Sequence, residues 1–170
     1  VAADALSPQA LRYLPLPELS HLIYPSGYYN AKAIKLKAFA ERLGEGYSDD
    51  LEELFSLPIP QLRSELLSIH GIGQETSDSI ILYAAGKPVF VVDAYTRRIV
   101  RRLGLGVEGD SYDSFQALFI ENLPHEVALF NEYHALIVRH GKEICRRAPL
   151  CFRCCLNSQC LTFNTTFTKI

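Results

Sequence analysis

The stretch Leu67-Ser68-Ile69-His70-Gly71-Ile72-Gly73-Gln74-Glu75-Thr76 decides how this chain folds. Ahead of it, over residues 60–69, apolar side chains recur at helical spacing, and behind it the same period resumes over 74–85. Two glycines set between two such segments predict a tight turn joining helix to helix. Glycine lets the backbone turn sharply and approach a bound group with no Cβ in the way. The amides of the turn and of the next helix then form an anion site that suits phosphate. On its own, a Gly-x-Gly reads first as a plain turn, so any further meaning depends on its neighbours.

Working outward from it, helices dominate. Ser7 is placed to cap a helix with Pro8 at its first position. Pro17 opens a short apolar segment that Pro25 and Gly27 end. Residues 30–43 carry Ala33, Ile34, Leu36, Ala40 and Leu43 on one face, with Gly44 and Gly46 as the expected stop. Asp49 or Asp50 caps a short helix ending near Leu57. Gly86-Lys87-Pro88 breaks the helix after the glycine turn, and Val89-Phe90-Val91-Val92 follows with the look of a strand. With no second strand to pair it, this run is expected to be a buried extended connector. Further helices are expected at 94–102, 111–121 and 126–140, which makes the fold all-α. The expected organisation is a helical core over 1–140, with the helix–turn–helix at about 60–85, a cysteine loop over 141–160 and a tail over 161–170 with no assigned role.

Composition bounds the classes. Of 170 residues, 48% are hydrophobic and 21% charged, enough for one core or two packed lobes. No apolar run approaches the ~20 residues of a membrane span, and no secretory signal stands at the start. The expected location is therefore cytoplasmic, associated with the nucleoid, or nuclear. The chain starts at Val1 and contains no Met, so residues are expected to precede it. A net charge of −2 is not that of a uniformly basic nucleic-acid binder. Charge is uneven, however: Arg97, Arg98, Arg101 and Arg102 fall together, and Arg139, Lys142, Arg146, Arg147 and Arg153 crowd the end. A local basic face can hold phosphates, and equally each arginine can be a solvated surface residue.

All five cysteines lie in one short segment: Cys145, Cys151, Cys154 and Cys160, with Cys155 as an extra. Clustered thiols outside an oxidising compartment point to metal ligation rather than disulfides. Cys151-x-x-Cys154 lets one turn present two thiolates, and the outer cysteines flank it with five residues on either side. That spacing suits a [4Fe-4S] cluster better than zinc, which prefers paired Cys-x-x-Cys knuckles across a longer loop. Zinc remains the alternative. Asp93 ends the apolar run and opens a helix, Asp93-Ala94-Tyr95-Thr96-Arg97. It can serve as a plain helix cap. The same placement puts a carboxylate at the edge of an apolar region, where it can activate water or stabilise a cationic sugar.

Gly71-Ile72-Gly73, then Asp93 twenty positions after the second glycine, then the four cysteines resemble the helix–hairpin–helix DNA glycosylases of the endonuclease III type. Gly27-Tyr28-Tyr29-Asn30-Ala31-Lys32-Ala33, Val91-Val92-Asp93-Ala94-Tyr95-Thr96-Arg97-Arg98 and His140-Gly141-Lys142-Glu143-Ile144-Cys145 carry the likeness, which extends over about residues 20–160. It implies a two-lobed helical protein, monomeric, that bends double-stranded DNA, flips a damaged base out and cleaves its N-glycosidic bond. Flipping follows from geometry, since the reacting atom is unreachable inside the stack. By the same likeness Asp93 is the catalytic carboxylate, Gly71, Ile72 and Gly73 grip the DNA strand, and Tyr28 helps fill the gap left by the flipped base, though Tyr28 can equally be core. Cys145, Cys151, Cys154 and Cys160 would hold the [4Fe-4S] cluster.

Departures from the family pattern sharpen the expectation. Bifunctional members carry a lysine two residues after the second hairpin glycine, where this chain has Glu75. A carboxylate forms no Schiff base, so a monofunctional enzyme close to the 3-methyladenine glycosylase branch is expected. The alternatives are a bifunctional glycosylase and abasic-site lyase, or a non-catalytic DNA-binding module. Five residues, where the family has six, separate Cys145 from Cys151. The family's N-terminal helices have no counterpart after Val1 and are expected to lie upstream. Tyr24, Tyr28, Tyr29, Tyr83 and Tyr95 offer aromatic surface suited to a cationic alkylated purine.

Overall fold

In the computed structural model, residues 6–167 are described; the tail's last three residues and the start at Val1 lie outside them. The chain divides between Ser77 and Asp78 into two compact units. Among the described residues all regular structure is helical, and no helix is long and apolar enough to cross a membrane.

The first unit contains α1 (Pro8–Tyr13), α2 (Leu16–Leu22), α3 (Tyr29–Tyr47), α4 (Leu51–Ser56) and α5 (Ile59–Ser68). Ser7 caps α1 by accepting from the Ala10 amide at 3.1 Å. Asp50, rather than Asp49, caps α4, accepting from Glu52 N at 2.8 Å. The first two helices pack on α3, whose inner face buries Ala33, Ala40 and Leu43 beside Leu19, Leu54, Leu62 and Leu66.

α3 corrects one expectation. It runs through Gly44 and Gly46 instead of stopping there, and ends at Ser48 and Asp49, both in left-handed backbone (φ 49° and 65°). The glycines serve side-chain passage. Arg12 lies directly over Gly44, and Arg42 over Gly46, where a Cβ would collide with each guanidinium. From there Arg12 donates to the Ala40 carbonyl at 2.9 Å and pairs with both carboxylate oxygens of Asp49. At these two glycines a close side-chain approach governs, not helix termination.

α6 (Gln74–Ser79) follows the glycine turn and passes straight into a single π turn, Ile80–Ala84. Such turns insert one residue into the helical ladder and recur at functional sites.

The second unit adds α7 (Ala94–Leu103), α8 (Tyr112–Asn122), α9 (Val127–Glu143) and α10 (Leu161–Phe167). Its core is built on the extended run 89–92, which is fully buried and pairs with no strand. Phe90 stacks on Phe119 at 3.8 Å and meets Phe130 edge-on at 5.5 Å; each such ring contributes about 1.5–3 kcal/mol by burial. A buried extended segment must still satisfy its backbone. Gln116 Nε2 donates to the Phe90 carbonyl at 2.7 Å, and the Val92 amide donates to the Tyr112 hydroxyl at 3.2 Å. These side chains replace a neighbouring strand.

α7 packs along α9, and the contact is close because Gly141 has no Cβ: one would lie 2.6 Å from Tyr95 Cδ1. The tail residues 161–167, without an assigned role from sequence, form α10 and dock on α7, with Leu161 seated against Gly104. Phe163 and Phe167 gather around Phe152 at 5.6 and 5.2 Å.

Candidate active site

In the first unit the hairpin between α5 and α6 turns at Gly71, whose φ of 82° strongly favours glycine. Its Cβ would press on Lys35 Cγ at 2.8 Å. Ile72 is buried and pins the turn, its amide donating to the Ile69 carbonyl at 3.1 Å. Gly73 differs. Nothing lies within 4 Å of where its Cβ would be, so internal packing does not require glycine there, and the exposed side is open. Glu75 is exposed in the first turn of α6.

Tyr28 is 89% exposed, which removes the core-packing reading. It sits in left-handed backbone (φ 49°) beside Gly27 (φ 65°), at the start of α3. A bulky residue there is strained, and such strain collects at functional positions. Lys32 Nζ clamps the turn by donating to the Ser26 carbonyl at 2.6 Å.

In the second unit Asp93 caps α7 and is buried. Its Oδ1 accepts from the Thr96 amide at 2.7 Å and the Thr96 hydroxyl at 2.9 Å. Its Oδ2 faces His134 Nε2 at 3.7 Å. Burial pushes the Asp93 carboxyl up, but the contacts with His134 and Thr96 together outweigh it and hold it below the usual carboxylate range. At 3.7 Å the His134 contact is longer than a formed hydrogen bond, and His134 Nε2 is buried with no hydrogen-bond partner. The other ring nitrogen, Nδ1, lies 2.6 Å from the Tyr83 hydroxyl. Tyr83 comes from the π turn, and burial followed by the Asp93 charge pushes its hydroxyl pKa up. A line Tyr83–His134–Asp93 results. His134 escaped the sequence reading: it lies on α9, and its tyrosine partner is 51 positions away.

The arginines grouped in the sequence are largely committed internally. Arg97 and Arg101 bind Asp110. Arg98 donates to the carbonyls of Cys145 and Gly141, both at 2.8 Å, and Arg102 to those of Cys145, Arg146 and Arg147. Their work is to hold the cysteine loop, whereas Arg146, Arg147 and Arg153 are exposed.

Cys145, Cys151, Cys154 and Cys160 all line one cavity, and the exposed Cys155 lies outside it. Arg102 Nη1 lies 3.3 Å from Cys145 Sγ, and His140 Nε2 3.5 Å from Cys154 Sγ. Burial, with the neighbouring thiols, pushes the Cys154 thiol up, and burial lowers His140. Among the described residues no trio of His, Cys, Asp or Glu side chains is close enough to share one metal ion. Four thiols lining one cavity are soft donors of the kind that iron–sulfur groups and zinc both take.

Residues 1–125 match the HhH-GPD superfamily of base excision DNA repair proteins, and the chain belongs to that superfamily. It is 45% identical over 147 residues to a Methanocaldococcus jannaschii protein assigned to the DNA repair glycosylases, covering 85% of this chain and 66% of that one. The chain spans about two thirds of the length of the curated relatives it matches. Among solved structures it resembles a non-covalent endonuclease III–DNA complex, with TM-score 0.78 and 25% identity over 96% of this chain and 72% of that one. It also resembles the H. pylori 3-methyladenine DNA glycosylase bound to 1,N6-ethenoadenine, with TM-score 0.66 and 27% identity over 80% and 67%.

Proposed function

We propose that the chain is a monofunctional DNA glycosylase of base excision repair, acting on a damaged base in double-stranded DNA. The observation that carries the reading is Asp93: a buried carboxylate kept ionised, with one oxygen fixed by Thr96 and the other facing His134. As the glycosidic bond breaks, its electron pair leaves with the base and positive charge develops on the sugar. A fixed anion stabilises that charge in place, where rearranging water would act less well. Water then adds to the sugar carbon and gives up its proton to Asp93.

Around that chemistry the hairpin binds the strand, Gly73 offering an open backbone face to a phosphate. Tyr28 stacks in the gap left by the extruded base, its exposed ring already held away from the core. The likeness to a 3-methyladenine glycosylase supports alkylated purines as substrates. Glu75 stands where an amine would form a Schiff base, so strand cleavage is absent.

Cys145, Cys151, Cys154 and Cys160 hold a [4Fe-4S] cluster. All four line one cavity, and their spacing in the chain suits that group better than paired zinc knuckles. Such a cluster would crosslink the loop and keep Arg146, Arg147 and Arg153 on an ordered surface. The test is release of free base from lesion-bearing duplexes: strand breaks only after alkali support a monofunctional enzyme, and breaks without alkali contradict it.

A further inference from the structure

We propose that His134 is the positioning residue of Asp93, and that Tyr83 fixes the tautomer in which it acts. The inference rests on the glycosylase reading for its kinetic consequence and on the second unit's geometry alone for its structural one.

Asp93 needs only Oδ1 to cap α7, and both Thr96 bonds go there. Oδ2 is surplus to capping. It faces His134 Nε2, a buried nitrogen without a hydrogen-bond partner. Leaving such a group unpaired is costly, so its placement calls for a reason. A lone pair on Nε2 would repel the carboxylate, so the proton sits on Nε2. Nδ1 is then an acceptor, and the Tyr83 hydroxyl at 2.6 Å donates to it. The His134 ring is held edge-on to Phe90 at 6.5 Å. The 3.7 Å gap is the resting state, because catalytic hydrogen bonds are often long in the free protein and tighten in the reacting complex. Closing it turns the Asp93 plane so that the carboxylate is ionised and aimed before the bond breaks. The ionisable groups facing Asp93 are His134 from α9 and Tyr83 from the π turn. Removing His134 therefore lets burial raise the Asp93 pKa.

The experiment compares the whole protein with His134→Phe, His134→Gln and Tyr83→Phe. In single-turnover base release from a 3-methyladenine duplex, His134→Phe should lose about 10²-fold in rate, as misplacement of a reacting group does. Duplex Kd should not change, and the acid limb of the rate should move to higher pH. His134→Gln, which keeps a donor, should recover most of the rate. By NMR, the imidazole of His134 should show the Nε2–H tautomer, lost in Tyr83→Phe, and the Asp93 carboxyl should titrate at higher pH in His134→Phe. An unchanged rate and acid limb, or an Nδ1–H tautomer in the parent protein, would overturn the proposal. Should the parent release no base, the glycosylase reading fails while the NMR results still decide this one; should His134→Phe not fold, Tyr83→Phe carries both readouts.

Discussion

Arg102, on the last turn of α7, donates to Cys145 Sγ at 3.3 Å, and the Cys160 thiol donates back to the Arg102 carbonyl at 3.2 Å. One residue therefore touches both outer cysteines of the loop. Its guanidinium also gathers the carbonyls of Cys145, Arg146 and Arg147, so the loop's shape depends on a helix that begins at Asp93.

Replacing Arg102 with Ala should strip those bonds at once. Bonds to a charged donor contribute about 1.5–3 kcal/mol each, non-additively, and a total loss of about 3 kcal/mol is expected, read as a fall in unfolding free energy. Iron retained per chain should drop in parallel. Arg102→Lys, a point charge without the planar fork, should recover only part.

Gly141→Ala should destabilise despite alanine's better helix propensity. Alanine gains about 1 kcal/mol in a helix, but its Cβ would stand 2.9 Å from Tyr95 Cβ, too near the backbone to be relieved by rotation. Overpacking costs about 1–3 kcal/mol, so thermal unfolding should shift down.

Acid should erase part of what Asp93 contributes. Its carboxyl is held below the unfolded value of about 3.9 by contacts that outweigh burial. A group with a depressed folded pKa stabilises above the unfolded pKa and loses that contribution as pH falls through the folded one. The difference in unfolding free energy between the parent and Asp93→Asn should therefore shrink from pH 7 to pH 3. Growth of the difference on acidification would mean that burial prevails.

Glu75→Lys tests what separates one-step from two-step chemistry. An amine in the first turn of α6 should trap with borohydride on a base-excised duplex as a covalent complex, and strand breaks should appear without alkali. Neither is expected of the parent protein.

Much of this was legible in the chain. The two glycines predict the turn that joins α5 to α6, Asp93 the cap that opens α7, and the run 89–92 could be read as buried because nothing could pair it. What escaped depends on tertiary approach. Gly44 and Gly46 look like helix stops until Arg12 and Arg42 are seen lying across them. His134 looks like one polar residue on an amphipathic helix, and only folding brings Tyr83 to one nitrogen and Asp93 to the other. The arginines around 97–102 read equally as a phosphate-binding face or as solvated surface, and their partners are instead carbonyls and Asp110.

On the proposed reading Asp93 performs base release while DNA binding resides elsewhere, and one comparison decides it. It is tested most directly by incubating the protein and its Asp93→Asn variant with duplexes carrying 3-methyladenine, uracil or thymine glycol, with and without alkali. Alkali-dependent breaks are expected with the parent protein, none with the variant, and equal duplex binding by both. Equal base release by the two proteins, or none from either with binding intact, would contradict it.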